Sequence, residues 1–403
     1  MTANAGYHAY ATGDVLTAAQ VQYNLQNQTV MYFATTTARD AALTGAILVE
    51  GMVSYTPATG LMYYNGTAWV SVSGQANTPN LSNPVLNSAF QVWQRGTTSA
   101  SITTAATYTA DRWSSVSGVS TAMVVSRQAT GDTTNLPNIQ YCARVQKTAG
   151  QTGTSVLYFA QSFESINSIP FAGKTVTLSF YARKGANYSS ATSVVSAYVQ
   201  TGTGTDQNIL SGGFTGSVNA IAQDSTLTTT WQRFTYTGTI GTTATQIGMF
   251  FSYTPVGTAG AADYFEVTGV QLELGSTATP FDTYATTIQG ELAACQRYYY
   301  RLIADNLYAN FGIGLANSTT NGSMSITAPV QMRTLPTSVD FSTLRLTDYS
   351  STYAVSALVL DNSGNGRNTQ VVSATTTGIV ATRGYAISAN NSTSGYLGFS
   401  AEL

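Results

Sequence analysis

Apolar and polar residues alternate with a period of two over much of this chain. Val176, Leu178, Phe180 and Ala182 alternate with Thr177, Ser179, Tyr181 and Arg183. Ile247, Met249, Phe251 and Tyr253 alternate with Gly248, Phe250 and Ser252. Met324, Ile326, Ala328, Val330 and Met332 alternate with Ser325, Thr327, Pro329, Gln331 and Arg333. Successive side chains of a strand point to opposite faces, so each run predicts a strand with two unlike faces. Between Phe265/Val267 and Val270/Leu272/Leu274 the apolar phase slips, and Gly269 sits at the slip. A β-bulge is predicted there. Pro329 has no N–H to give a ladder, so its strand is predicted at a sheet edge with that side unpaired.

Helical spacing is rare. Asp14 is placed to cap a short helix over 15–25, with Val15, Ala18, Val21 and Leu25 on one face. One helical turn is expected over Thr37 to Ala42. The strongest helical pattern covers 291–301, where Leu292, Cys295 and Tyr299 fall at i, i+3 and i+7. Ala293 and Ala294 between them are good helix formers. That stripe has two uses: packing on its own domain, or packing around a threefold axis as a helical neck.

Turn residues punctuate the rest. Asn65-Gly66 is a favoured pair for a tight hairpin turn, and Asp361 to Gly366 form another turn. The expected organisation is an arm at 1–30, a small β module at 31–74 and a linker at 75–82. A long β region follows at 83–284, then a helical neck at 285–301 and a C-terminal β domain at 302–403. The fold class is all-β, with the central region a β-sandwich of the jelly-roll kind and one short helix after it.

Composition strengthens the β assignment. Hydrophobic residues make up 43% and charged residues only 8%, far below the roughly 25% usual for soluble proteins. Thr, Ser, Asn, Gln and Gly carry the polar balance, and 25 Tyr and 15 Phe add aromatic bulk. A formal net charge of −2 offers no basic patch for phosphate, so nucleic acid is not an expected partner. So little surface charge gives a monomer small self-repulsion and suits a protein that lives in an assembly. The start of the chain lacks a basic region followed by an apolar run, and no stretch approaches the ~20 apolar residues of a membrane helix. The expectation is assembly in a cytoplasm with no membrane insertion.

Candidate chemistry is sparse. His8 is the only histidine, so a His-dependent nucleophilic site has nowhere to form outside the arm. Cys142 and Cys295 lie far apart and read as buried thiols. Asp111, Asp263 and Glu266 are the carboxylates to watch. They suit capping or solvated roles, or a structural Ca2+ site with backbone carbonyls. A glycosidase would need two of them across a sugar cleft. Trp69, Trp93, Trp113 and Trp231 sit in strand-like runs and read as core rather than sugar platforms. Tyr349, Tyr353, Tyr385 and Tyr396 lie among Ser, Thr and Asn and are the receptor-contact candidates.

Three groups of motifs carry a resemblance. Residues 29–70 include Thr37-Ala38-Arg39-Asp40-Ala41-Ala42, Glu50-Gly51-Met52-Val53-Ser54-Tyr55 and Asn65-Gly66-Thr67-Ala68-Trp69. This resembles the N-terminal module of phage tail and fibre proteins. Asn87 to Gly96, Tyr108 to Trp113, Gln271 to Gly275 and Pro280-Phe281 resemble the carbohydrate-binding-module-like jelly roll of phage tail fibres. Cys295 to Tyr299, Pro329 to Arg333 and Ala401-Glu402-Leu403 resemble the fibre C-terminal region. The resemblance implies a homotrimeric virion protein that is not an enzyme. It implies attachment to other virion proteins through the N-terminal region and a distal surface that meets a host glycan. A head fibre or capsid decoration protein, and a polysaccharide depolymerase, are the alternatives.

Overall fold

The computed structural model describes residues 15, 17, 30–44, 48–72, 83–136, 138–361 and 363–403. The arm and its expected helix, apart from Val15, Thr17 and Val30, and the linker 75–82 lie outside the described residues. The chain divides into two compact units, Met1–Asn80 and Leu81–Leu403.

The first unit is a four-stranded sheet of β1 (Val30–Tyr32), β2 (Val53–Thr56), β3 (Gly60–Tyr64) and β4 (Trp69–Ser71), in that order, with helix α1 (Thr36–Ala42) after β1. Strand β1 pairs with β2 in parallel, and the other pairings are antiparallel. Thr35 Oγ1 caps α1 by accepting the Ala38 N–H at 3.1 Å. Arg39 on that helix is buried with its guanidinium 4.6 Å above the Trp69 ring. Asn65-Gly66 lies in a four-residue loop, longer than the tight turn expected. Tyr64 pairs with Trp69, and Asn65 Oδ1 accepts the N–H groups of Thr67 and Ala68. Register aligns Val30, Val53, Tyr63 and Val70 in one row and Tyr32, Tyr55 and Leu61 in the next. Val30, Tyr32, Tyr55, Leu61 and Tyr63 are exposed, so this sheet face is apolar and open.

The second unit begins with a sandwich. Its strands are β5 (Thr107–Tyr108), β6 (Ser114–Ser117), β7 (Met123–Ala129), β8 (Tyr141–Lys147), β9 (Leu157–Ser162), β10 (Thr175–Lys184), β11 (Val194–Gly202), β12 (Val218–Thr226), β13 (Gln232–Thr239), β14 (Gln246–Tyr253) and β15 (Tyr264–Leu274), with the short helix α2 (Ser165–Ser168) after β9. One sheet runs β13-β10-β15-β8-β7 and the other β12-β11-β14-β9-β6-β5. The chain crosses from sheet to sheet at most steps, the winding of a jelly roll. The inward residues are those the alternation marked: Val176, Leu178, Phe180 and Ala182 on β10, and Ile247, Met249, Phe251 and Tyr253 on β14. Trp113 stacks on Phe159 at 4.7 Å between the sheets, and Phe180 meets Phe251 edge-on at 4.8 Å. Each such buried apolar side chain is worth about 1.5–3 kcal/mol in transfer terms. The predicted bulge is present. Ser179 pairs with Gln271 and Tyr181 with Thr268, so β15 sets Gly269 and Val270 opposite the single residue Phe180. Gly269 takes φ +57°, and a Cβ there would lie 2.9 Å from Ile139 and Tyr181.

Helix α3 (Ile288–Gln296) follows, capped by Thr287 Oγ1 on the Gly290 N–H. It is shorter than expected. The aromatic run after Arg297 prefers extended backbone, and Tyr299 opens strand β16 (Tyr299–Ile303). The C-terminal strands are β17 (Asn310–Ala316), β18 (Asn321–Thr327), β19 (Ser338–Ser342), β20 (Leu344–Thr347), β21 (Thr352–Ala354), β22 (Ala357–Leu360), β23 (Thr369–Thr375), β24 (Gly384–Ala389) and β25 (Tyr396–Ser400). A three-stranded sheet β16-β25-β19 and a seven-stranded sheet β21-β20-β24-β17-β18-β23-β22 enclose a second core around Met324, Ile326, Leu346, Val372, Ile387 and Phe399. The expected edge strand through Pro329 is corrected here. Strand β18 lies between β17 and β23, and it ends at Thr327, so Pro329 falls after the strand instead of on an edge. Among the described residues no helix is long and apolar enough to cross a membrane.

Candidate functional site

The outer face of the six-stranded sheet carries an aromatic platform. Residues 195, 197 and 199 of β11 fill the core, so Ser196, Tyr198 and Gln200 face outward. The same alternation turns Phe250 and Ser252 of β14 and Tyr158 of β9 to this face. Tyr198 pairs with Phe250 across the ladder, and Tyr158 pairs with Ser252 beside it. The Tyr198 and Phe250 rings stack with centroids 4.4 Å apart and 14° between planes. Tyr158 meets Phe250 edge-on at 5.8 Å. All three rings are half-buried, so each presents part of its surface to solvent. Burial, and behind it the neighbouring Tyr198, raises the Tyr158 phenol above its ordinary value, which keeps it neutral.

Polar pairs and a loop border the rings. Gln200 Nε2 donates to Asn219 Oδ1 at 3.0 Å, and Ser196 Oγ donates to Asp224 Oδ1 at 2.6 Å. The segment 203–217, between β11 and β12, folds over one end of the platform. Its Ile209 and Phe214 are buried with Ala160 and pack against Phe250. They reach the sheet because position 248 is glycine: a Cβ there would lie 3.0 Å from Phe214 and 3.1 Å from Ile209. Gln207 holds the loop together, accepting the Thr215 N–H at 2.8 Å and giving its own N–H to Gln246 at 2.6 Å.

An ionic seam, buried at Arg112 and Glu164, joins the sandwich, α3 and the C-terminal strands, and it fixes this loop. Arg112 is 2% exposed, with its guanidinium 3.5 Å above the Tyr298 ring. It binds the Glu402 carboxylate and donates to Ser162 O at 2.8 Å. Burial opposes its charge, but Glu402 together with Tyr298, Tyr108 and Cys295 outweighs it, so its pKa is raised. Arg95 stacks 3.5 Å above Tyr299 and pairs with Glu402 at 3.4 Å. Glu164 takes two bonds from Arg297, at 3.1 and 3.0 Å, and one from the Tyr298 hydroxyl at 2.5 Å. Arg333 donates to Ala401 O and Glu402 O and pairs with Asp206 of the loop at 3.0 Å. Asn208, also of the loop, donates to Leu403 O at 3.0 Å. Burial pushes the Tyr108 phenol, bonded to Leu403 O, up to about 12.

The residues singled out from sequence fall in several places. Trp113, Trp93 and Trp231 are buried, as expected of core rings, and Trp69 is half-buried beneath Arg39. The stripe Leu292, Cys295 and Tyr299 is not one helical face. Cys295 is buried at the seam, Tyr299 lies on β16 with its hydroxyl on Asp340, and Leu292 alone is half-buried on α3. Through Cys295 the helix packs on its own chain. Among the receptor candidates, Tyr349 is 79% exposed, while Tyr385 is buried with its hydroxyl accepting the Val380 N–H. Tyr353 packs edge-on against Tyr385 at 5.9 Å, and Tyr396 lies under the Arg301 guanidinium at 3.9 Å. The four tyrosines are thus not a common exposed surface.

The three carboxylates considered for calcium have protein partners. Asp111 accepts from Gln94, Asp263 accepts from the Ser189 N–H and hydroxyl at 2.9 and 2.7 Å, and Glu266 is held between Arg144 and Arg183. These carboxylates are already satisfied by protein donors. Among the described residues no three His, Cys, Asp or Glu side chains are arranged to hold a metal ion. Burial raises the pKa of Asp111. Tyr158, Tyr198 and Phe250 are not among the residues the sequence singled out, because alternation marks the face each ring takes but not which strands lie side by side. The available signal was an aromatic at the outward position of three separate strands.

No family model matches the sequence, and no curated protein matches it. Solved structures similar to parts of the chain include a family 4 carbohydrate-binding module, at 21% identity, 33% of this chain, 71% of that chain and TM-score 0.24. A xylan-binding domain of family 22 is 12% identical over 42% of this chain and 90% of that one, with TM-score 0.26. The enzymatically active domain of bacteriophage CBA120 tailspike protein 4 is 12% identical over 48% of this chain, with TM-score 0.30. The chain covers only 21% of that tailspike domain. Likenesses at this level assign no function to the chain.

Proposed function

We propose that the chain is a structural fibre protein of a tailed-phage virion that binds a glycan on the host surface through the Tyr158–Tyr198–Phe250 platform. The stacked Tyr198–Phe250 pair on an outer sheet face carries this assignment. Aromatic rings left partly exposed give an apolar surface for the C–H face of a sugar ring, and amide and hydroxyl side chains beside them meet its hydroxyls. Gln200, Asn219 and Ser196 supply those groups. The role is binding rather than cleavage. A glycosidase needs two carboxylates across the sugar; the strands of this sheet carry one, Asp224, and Asp206 of the bordering loop is paired with Arg333. The virion setting rests on the order of the sequence motifs. The apolar sheet face of the first unit, with Tyr32, Tyr55 and Tyr63, supports its use in homotrimer formation and in attachment to other virion proteins.

Adsorption of the full chain to host cells, competed by purified surface polysaccharide, tests the binding role. Wild-type chain is expected to bind, and a Tyr198→Ala/Phe250→Ala chain to bind at least tenfold more weakly. Equal adsorption by both would remove the platform from the proposal. Light scattering of wild-type chain and a Tyr32→Asp/Tyr55→Asp variant tests assembly: the first is expected as a trimer and the second as smaller species. Immunogold labelling of virions is expected at the tail, and label spread over the head would make the chain a capsid fibre.

A further inference from the structure

We infer that the platform takes an uncharged glycan and turns away polyanionic ones. This rests on the platform being a glycan site. The strands β5, β6, β9, β11, β12 and β14 contain no lysine or arginine. Their single charged residue is Asp224, exposed on the edge strand β12. Asp224 pairs with Ser196 in register, two residues along from the Tyr198–Ala222 pair. At the usual rise of a strand that sets its carboxylate roughly 7 Å along the sheet from the Tyr198 ring.

One cation reaches this sheet near its edge, where Lys184 Nζ donates to Ser193 Oγ just before β11. The loop 203–217 contains one charged residue, Asp206, and Arg333 neutralises it at 3.0 Å. Arg297 is paired with Glu164. The outward guanidiniums of the sandwich lie on the other sheet, where Arg144 and Arg183 flank Glu266 and Arg233 donates to Ser179. A uronate, sulfate or phosphate on a sugar stacked at Tyr198 would lose water against apolar rings without gaining a cation. It would also meet Asp224 at short range, a repulsion weakened but not removed by salt. A hexose or N-acetylhexosamine unit loses nothing of the kind.

Affinity electrophoresis with polysaccharides and calorimetry with oligosaccharides test this on the full chain, using glycans that share a backbone and differ in charge. Hydroxyethyl- against carboxymethyl-cellulose, xylan against glucuronoxylan, and N-acetyllactosamine against its sialylated form are suitable pairs. In every pair that binds, the neutral member is expected to bind at least tenfold tighter, with the gap widening at low salt. Asp224→Lys is expected to narrow that ratio about threefold to tenfold. Asp224→Asn, of nearly the same shape, is expected to narrow it less and serves if the lysine variant folds poorly. Acidic members bound as tightly as neutral ones, with binding lost in Tyr198→Ala/Phe250→Ala, would overturn the charge preference and leave the glycan site standing. Binding by no member, or binding that survives loss of both rings, would overturn the site itself.

Discussion

The seam and the platform lie in one compact unit and use opposite chemistry. The seam gathers Arg95, Arg112, Glu164, Arg297, Arg333 and Glu402 in a chain with only 8% charged residues. Arg112 and Glu164 are buried and the other four half-buried, with rings, carboxylates and carbonyls against them. The platform is almost uncharged and leaves its rings half-exposed. Buried charges are costly unless each has its partner, so the seam tolerates one arrangement and fixes the C-terminal strands on the sandwich. Apolar rings at a surface impose no such geometry and remain available to a ligand. The two meet in the loop 203–217, whose Asp206 and Asn208 are tied to the seam while Ile209 and Phe214 wall the platform.

The contrast can be broken at either side. Arg112→Ala leaves Glu402 with only the longer Arg95 contact and opens space under Tyr298. Urea unfolding is expected to show a loss of about 3–5 kcal/mol, and a loss under about 1 kcal/mol would mean the seam does not fuse the two β regions. Tyr198→Ala is expected to do the reverse. Glycan affinity should fall about tenfold, some 1.4 kcal/mol, while unfolding stability changes by less than about 1 kcal/mol.

Gly248→Val tests the join between them. Its side chain would occupy the space of Phe214 and Ile209, so limited proteolysis should begin within 203–217 and affinity should drop several-fold. Uncleaved loop and unchanged affinity would show that the loop is no part of the site. The smallest effect concerns pH. Burial raises the Asp111 pKa above its unfolded value, so the folded chain holds this proton more tightly. Its contribution is therefore fully favourable below the unfolded pKa of about 4 and is lost as pH rises through the higher folded pKa. The melting-temperature difference, wild type minus Asp111→Asn, is expected to grow as pH falls through that window. A difference flat with pH would show that Asp111 titrates normally.

Much of the fold was legible because alternation reports burial directly. The strands over 176–182 and 247–253, the core tryptophans and the bulge at Gly269 all follow from local residues. The edge strand at Pro329 was misplaced because alternation runs on through residues that lie after the strand. The helical stripe at 292–299 failed for a related reason. Spacing places Tyr299 on a helix, but pairing with Ser400, about a hundred residues away, draws it into β16. The tyrosines at 353, 385 and 396 looked exposed beside small polar neighbours, yet each packs against a partner distant in sequence or across the sheet.

By itself the sequence determined the β class, the two-faced strands, the core aromatics and the scarcity of charge, since each depends on residue type and near neighbours. Only the tertiary structure decided which aromatic rings remain at the surface. Tyr198 and Phe250 become a platform through cross-strand register, and register is set by contacts across the whole sheet. The structure also decided that motifs around Arg95, Arg112, Tyr298 and Glu402 form one seam. Ion pairs between residues hundreds of positions apart leave no periodic trace in the chain.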